Sequence, residues 1–265
     1  MTEDNPLLVR REGAVVRAML NRPHRRNAMS MALVQAVDVL LDQLEQDSSA
    51  RVLVLEGAGG HFCAGLDLVE VAEDNLSPEQ KIAAQLKRNT ATGRRFARIA
   101  ALPQVVVARI QGSVFAGGLG FVCAADIAIA DATARFCAPE VRRGLVAAQI
   151  LPWLVRRMGR SQAQRLVLQA QVLDAQAAQG IGLVHEVLAD EAALDAALAT
   201  IIADVLKGAP GAMAETKRLI AALGPVASEA YAQAGAESFA RQATGEAEEG
   251  IAAFRARRKP AWEPG

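Results

Sequence analysis

The chain reads as a mixed α/β protein with a purely helical carboxyl-terminal region, and three observations predict it. Short β-rich runs alternate with stretches of helical period up to about residue 190, and beyond that point the strands cease. Apolar residues make up 52% of the chain but aromatic residues only 4%, so the core must rest on Ala, Leu, Val and Ile. With 265 residues there is enough chain to bury a substantial core. We place the boundary at the change of pattern, with an α/β core over 1–190 and a helical region over 191–265.

The first strands fall at Leu7 to Arg10 and Val15 to Leu20, a hairpin across Glu12-Gly13 that ends at the turn Asn21-Arg-Pro23. From Ser30 to Gln46, Leu33, Val37, Leu40, Leu41 and Leu44 recur at helical spacing, with Ser30 as N-cap. Val52 to Leu55 is a buried strand. A helix from Ser77 to Ala101 is stopped by Pro103, and Val105 to Ile110 supplies the next strand. Ile127 to Ala130 and Val184 to Val187 read as further strands, with helices at Gln149 to Met158 and Ser161 to Leu168 between them. Four helical stretches follow: Ala192 to Leu206, Ala212 to Leu223, Ala227 to Ala243 and Glu246 to Arg257. Their alanine-rich faces suit close packing against another subunit.

Charge narrows the function. The 29 basic and 29 acidic residues cancel, which removes any whole-molecule field favouring nucleic acid or an anionic membrane, so an anionic ligand needs a local patch. Cys63, Cys123 and Cys137 lack Cys-x-x-Cys spacing and fit a reducing cytoplasm. The amino terminus is acidic and polar, unlike a signal peptide. The uncharged run from Ile110 to Ala125 is too short to span a bilayer and is broken by four glycines, so a soluble cytoplasmic protein is expected.

Several chemistries find no support. Gly57-Ala-Gly-Gly-His-Phe62 has Phe62 where a dinucleotide fingerprint needs its third glycine, and no phosphate-loop or Gly-x-Ser-x-Gly pattern occurs. His24, His61 and His185 have no metal-binding spacing and are expected at the surface or in supporting roles, so neither a metal nor a redox cofactor is expected.

Two glycine-marked loops remain, His61-Phe-Cys-Ala-Gly-Leu-Asp-Leu68 and Gln111-Gly-Ser-Val-Phe-Ala-Gly-Gly-Leu-Gly120, each following a strand. The first leads into a short helix predicted at Asp67 and the second into an apolar helix. An amide in a helix's first turn has no internal partner and sits at the positive end of the dipole, so it favours a developing oxyanion. Leu66 and Gly117 are the donors expected there. Glu140 follows in an apolar setting of Phe136, Cys137, Ala138, Val141 and Leu145, where a carboxylate is costly to bury unless it is paired or functional. An ion pair with Arg142 or Arg143 is its plainer reading.

These segments together resemble the enoyl-CoA hydratase/isomerase, or crotonase, family. The resemblance runs from Leu20-Asn-Arg-Pro23 and Arg26-Asn-Ala28 through Phe62 to Asp67, Gly112 to Gly120, Ala125-Asp126 and Phe136 to Gly144, to Phe254 through Trp262. It implies a crotonase-like spiral of ββα units with a helical trimerisation region, assembled as a homotrimer or homohexamer. It also implies an acyl-CoA thioester as substrate, with coenzyme A part of that substrate rather than a cofactor. The thioester oxygen would accept from Leu66 and Gly117, and coenzyme A would lie against Arg25, Arg26, Ala28, Ala64, Asp67 and Leu68, with Lys259 of the tail approaching the pocket.

Carried over by position, the family's two catalytic glutamates fall on Gly120 and Glu140, so only one is present. Gly120, with Ala124, is expected to leave room for a branched acyl group. The segment from Phe136 to Leu145, continuing from Ile150 to Arg156, looks like hydratases of 3-substituted glutaconyl-CoA thioesters, with the isohexenyl substrate of acyclic terpene breakdown slightly preferred over the 3-methyl substrate of leucine breakdown. Arg142 and Arg143 are candidates for the distal carboxylate. A double-bond isomerase or another one-glutamate crotonase lyase, using the same glutamate, and an inactive acyl-CoA-binding oligomer, are the alternatives.

Overall fold

A run such as Val52-Leu-Val-Leu55, apolar at every position, belongs in a sheet covered on both faces. The computed structural model, which describes residues 5–72, 77–222, 229–243, 246–258 and 260–261, places it so. A six-stranded sheet runs in the order β1 (Leu7–Glu12), β2 (Val15–Leu20), β3 (Val52–Gly57), β4 (Val105–Ile110), β6 (Ile127–Asp131) and β9 (Glu186–Leu188). Only the β1–β2 pair is antiparallel. Strand side chains alternate between faces. Leu53 and Leu55 therefore join the larger core, while Val52 and Val54 pack with Val107, Ile129, Leu194 and Leu198 on the opposite face.

A second, three-stranded sheet escaped the sequence reading. It pairs β5 (Ser113–Phe115) in parallel with β7 (Arg135–Cys137), and β7 antiparallel with β8 (Leu173–Asp174). These strands have at most three residues each, too short for alternation to register.

The helices begin where local chemistry predicts. In α1 (Met31–Gln46) the Ser30 hydroxyl accepts from Leu33 N–H. In α3 (Pro78–Ala101) Ser77 and Gln80 form a reciprocal capping box. Two predicted helices at 149–158 and 161–168 are joined as α5 (Leu151–Gln169), with Gly159 at φ 78° marking the break between them. The remaining helices are α2 (Leu68–Ala72), α4 (Gly117–Ala124), α6 (Ala175–Gly180), α7 (Glu191–Lys207), α8 (Pro210–Ala222), α9 (Glu229–Ala243) and α10 (Glu246–Arg255). The predicted ends at Leu223 and at 227–228 lie outside the described residues. Among the described residues no helix is long and apolar enough to cross a membrane.

The carboxyl-terminal helices are bound into the rest of the chain. Helix α7 covers the outer face of the sheet through Leu194, Leu198 and Val205, and α9 lies along α3. The Gln149 side chain, 5% exposed, donates to the carbonyl of Ala232 in α9 and leaves room only for glycine at position 93 of α3. Helix α3 meets α4 through Phe96, whose ring stands edge-on to Phe121 at 5.4 Å. Phe96 is fully buried, so Phe96→Ala should lose about 3–5 kcal/mol of stability in urea unfolding. A loss under 1 kcal/mol would mean that the α3–α4 contact is not close-packed.

Candidate active site

The two glycine loops lie side by side because their backbones pair. Cys63 N–H donates to Ser113 O and Phe115 N–H to Cys63 O, both at 2.9 Å, an isolated parallel bridge between the loops. A second bridge joins the first loop to the chain before α1: Met29 N–H donates to Gly65 O at 2.7 Å and Asp67 N–H to Met29 O at 3.1 Å. Asn27, fully buried, fixes that chain by accepting from Arg22 N–H and donating to the carbonyls of Ala58 and His61.

Glycine is required where the loops touch. A Cβ on Gly65 would stand 2.7 Å from the Ala116 Cβ and 3.5 Å from Gly117 N, and one on Gly118 would stand 2.5 Å from Cys63 O. Gly117 lies under the Met29 side chain, whose terminal methyl a Cβ would meet at 2.3 Å. Among the described residues neither Leu66 N–H nor Gly117 N–H has a protein acceptor, and Gly117 opens α4, where no intrahelical partner exists.

Leu66 and Gly117 both line one cavity of about 510 Å³ together with Glu140. Glu140 opens a 3₁₀ turn, Glu140–Arg143, after Pro139; it is 9% exposed, and its Oε2 has no hydrogen-bond partner. Burial pushes its carboxyl up to about 7, against the opposing pull of its own N–H and the Arg143 charge. The thiol in the first loop offers no competing nucleophile, since burial pushes Cys63 up to about 12. Two free amides beside one poised carboxyl can hold an oxyanion while a proton is taken up or released.

The remaining expected residues divide. Arg25, Arg26, Ala28, Ala64, Asp67 and Leu68 all line the cavity. Burial acts to raise the Asp67 carboxyl, but its ion pair with Arg22 at 2.9 Å and the Val69 N–H carry it below its ordinary value. The Leu68 carbonyl accepts from Arg255 at 3.1 Å. Lys259 lies outside the described residues.

Two expectations are corrected. Gly120 leaves no room for an acyl branch, because a Cβ there would meet the Phe96 ring at 2.2 Å, and Ala124 is buried in the core. Arg142 points outward, donating to Gln169 O at 3.2 Å, and Arg143 is the arginine that lines the cavity. The reason is the turn itself, which has three residues per revolution and so sets 140 and 143 on one face.

Sequence reading missed the wall supplied by α3, where Gln85, Arg88, Asn89 and Thr92 face the cavity at helical spacing, and by Phe239 and Phe254 of α9 and α10. The spacing was visible, but a polar stripe facing a cavity looks like one facing solvent. The histidines have structural parts: His61 Nδ1 accepts from Ser113 N–H, and His185 Nδ1 from Ala128 N–H. A larger groove of about 820 Å³ beside α8 is less suited to a ligand, since Lys217 is paired with Asp126 at 2.6 Å and Arg157 donates to the carbonyls of Val122 and Ala125.

Comparison with known proteins gives these features a context. A family model described as "Enoyl-CoA hydratase/isomerase" matches residues 10–265. A putative enoyl-CoA hydratase of Thermus thermophilus is 34% identical over 251 residues, 94% of this chain and 97% of that protein. The 2,3-dehydroadipyl-CoA hydratase of Escherichia coli is 32% identical over 256 residues, 96% and 97% of the two chains. Among solved structures, Pseudomonas aeruginosa AtuE superposes with a TM-score of 0.80 at 40% identity, covering 97% of this chain and 99% of that one.

The raised carboxyl has consequences for activity and for stability. If Glu140 works as a base, kcat/KM should climb with pH through about 7. For stability, a carboxyl raised by burial keeps its proton to higher pH in the native than in the unfolded state, so stability is highest below about 4.5 and falls as pH rises through about 7. Glu140→Gln should therefore be more stable than the parent near pH 8 by on the order of 2–3 kcal/mol, with the gap closing toward pH 5. Thermal unfolding across that range checks it, and a gap independent of pH would refute the burial account.

Proposed function

The chain belongs to the enoyl-CoA hydratase/isomerase family and has its crotonase-like α/β fold, and from that premise we propose that it adds water across the double bond of a 3-substituted glutaconyl-CoA thioester. General enoyl-CoA hydratase/isomerase activity follows from membership; the acyl group is our reading. The observation that supports it is that Leu66 and Gly117, whose N–H groups have no protein acceptor among the described residues, line one cavity with Glu140, whose buried Oε2 has no partner.

In this reading the thioester oxygen accepts from both amides, which stabilise the enolate that forms when water attacks the β-carbon. Glu140 takes the proton from water and returns it to the α-carbon, one group serving both steps because the enolate is held still between them. Coenzyme A runs past Arg25, Arg26, Ala28 and the carbonyls near Ala64 and Asp67, where the two arginines meet its phosphates. The β-branch, isohexenyl or 3-methyl, finds its room along Val146, Ile150 and Phe239 in place of Gly120. The proposal includes assembly as a homotrimer or homohexamer; Leu219 and Ile220 on α8, about half exposed, support a subunit contact there.

The same residues would serve a double-bond isomerase, in which Glu140 moves a proton between carbons and no water adds. Incubation with glutaconyl-CoA, 3-methylglutaconyl-CoA and isohexenylglutaconyl-CoA, followed by mass detection of one added water, tests the hydratase reading. Glu140→Gln should lower turnover by at least ~10²-fold while coenzyme A esters still bind. Loss of enoyl conjugation marks hydration. Its appearance from a 3-enoyl thioester, with no gain in mass, would replace the hydratase by the isomerase, and no turnover on any of these would leave an acyl-CoA binder.

A further inference from the structure

Glu140 and Arg143 stand on the same face of their 3₁₀ turn, separated by three residues and hence by about 6 Å along its axis. The Arg143 guanidinium is unusually placed for a cation. It lies over the Phe254 ring, 4.5 Å from the centroid, its Nε is buried without an acceptor, and its Nη1 reaches Pro139 O only at 3.5 Å. Among the described residues it makes no ion pair. A guanidinium carries five N–H donors in a fixed fork, and leaving them unmet away from water is costly.

Helix α10 holds the arginine there. Gly250 is packed on the Arg143 backbone so closely that a Cβ would meet its carbonyl at 2.5 Å, and four residues on, Phe254 covers the flat face of the guanidinium. Stacking occupies the face and leaves the edge, where the N–H groups point, for a ligand. Arg143 is part of the wall of the 510 Å³ cavity.

We propose that Arg143 is the specificity residue of this cavity: its guanidinium donates to a carboxylate at the far end of the acyl chain, selecting thioesters of short dicarboxylic acids, with Phe254 as its positioning residue. The inference rests on the hydratase reading, in which Glu140 works at the β-carbon. A CH2–COO⁻ arm on that carbon extends roughly 3.5 Å, and a charge-assisted hydrogen bond spans about 2.8 Å, together matching the separation along the turn. Of the other arginines in the wall, Arg25 and Arg26 belong to the stretch beside Ala28 and Ala64 and Arg88 belongs to α3, whereas Arg143 stands on the turn that carries Glu140. A neutral acyl group of the same length would strand the guanidinium, so it is rejected by the cost of an unmet, half-buried cation rather than by shape.

The test compares two substrates that differ only in the carboxylate, 3-methylglutaconyl-CoA and 3-methylcrotonyl-CoA, assayed at about pH 9, where Glu140 is ionised. The intact protein should favour the first by ~10²-fold or more in kcat/KM. Arg143→Gln should reduce that preference at least ~30-fold, Arg143→Lys less, and Phe254→Leu should act mainly on KM for the carboxylated substrate. An Arg143→Gln variant that loses activity on both substrates equally overturns the proposal, as does an intact protein that hydrates both alike. Hydration of neither substrate would instead sink the hydratase reading. Should the variants fail to fold, calorimetric binding of glutaryl-CoA against butyryl-CoA to the unaltered protein decides the matter: equal affinities refute the role given to Arg143.

Discussion

The parallel pairing of residue 63 with residues 113–115 is the constraint on which the site depends. In such a bridge alternate amides point to opposite sides. Cys63, Phe115 and Asp67 spend their N–H groups on the pairing and Ala116 donates to Cys137 O at 2.9 Å, so among the described residues the amides left over are those of 66, between two paired positions, and 117, at the start of α4. The result requires strain. Ala116 sits at φ 49°, ψ −121°, a conformation that side chains disfavour by about 1–3 kcal/mol, and it turns the chain abruptly into α4, whose first residue, Gly117, lines the cavity. Gly65, lacking a side chain, makes space for the Ala116 methyl at that turn.

The same economy governs Glu140. Its carbonyl is engaged: Leu145 N–H donates to it at 3.0 Å, and Gly144 closes the turn in the left-handed conformation at φ 67°. Its carboxyl Oε2 is left without a partner, although Arg143 is one turn away. A neutralising ion pair would have held the group well below neutrality and made it a poor base near pH 7. Holding the arginine against Phe254 keeps the positive charge near enough to moderate the effect of burial without quenching the carboxyl.

How much of this was legible in the chain depends on the length of the signal. Ser30, Ser77 and Pro103 marked helix limits because capping and ring closure act locally, and the long apolar runs located β2, β3 and β4. The loops and Glu140 were legible from glycine placement and apolar context. Gly120 misled because a glycine records only that a side chain is absent; what fills the space, the Phe96 ring, comes from a helix more than twenty residues earlier. The choice between Arg142 and Arg143 needed the period of a four-residue turn, and a four-residue turn announces itself only through its φ and ψ. Phe239 and Phe254 were hidden for the opposite reason: they read as ordinary members of amphipathic helices whose partner surface is set by tertiary packing.

That packing changes what the carboxyl-terminal helices mean. A region whose only task was subunit assembly would present its apolar residues outward, yet α7 shares a core with four strands of the sheet, α9 is tied to α3 by the buried Gln149, and α10 buttresses the turn that carries Glu140 and Arg143. Phe239 packs against Leu145 and Ala247, so α9, α10 and the segment following Glu140 share a small apolar cluster of their own. The cluster lies at the cavity wall. Substitutions in these helices can therefore reshape the acyl end of the site while leaving the paired loops, and the two amides they orient, unchanged. The chain thus separates its functions physically: backbone pairing within the α/β core fixes where charge develops, and side chains of the helical region define what may lie beside it.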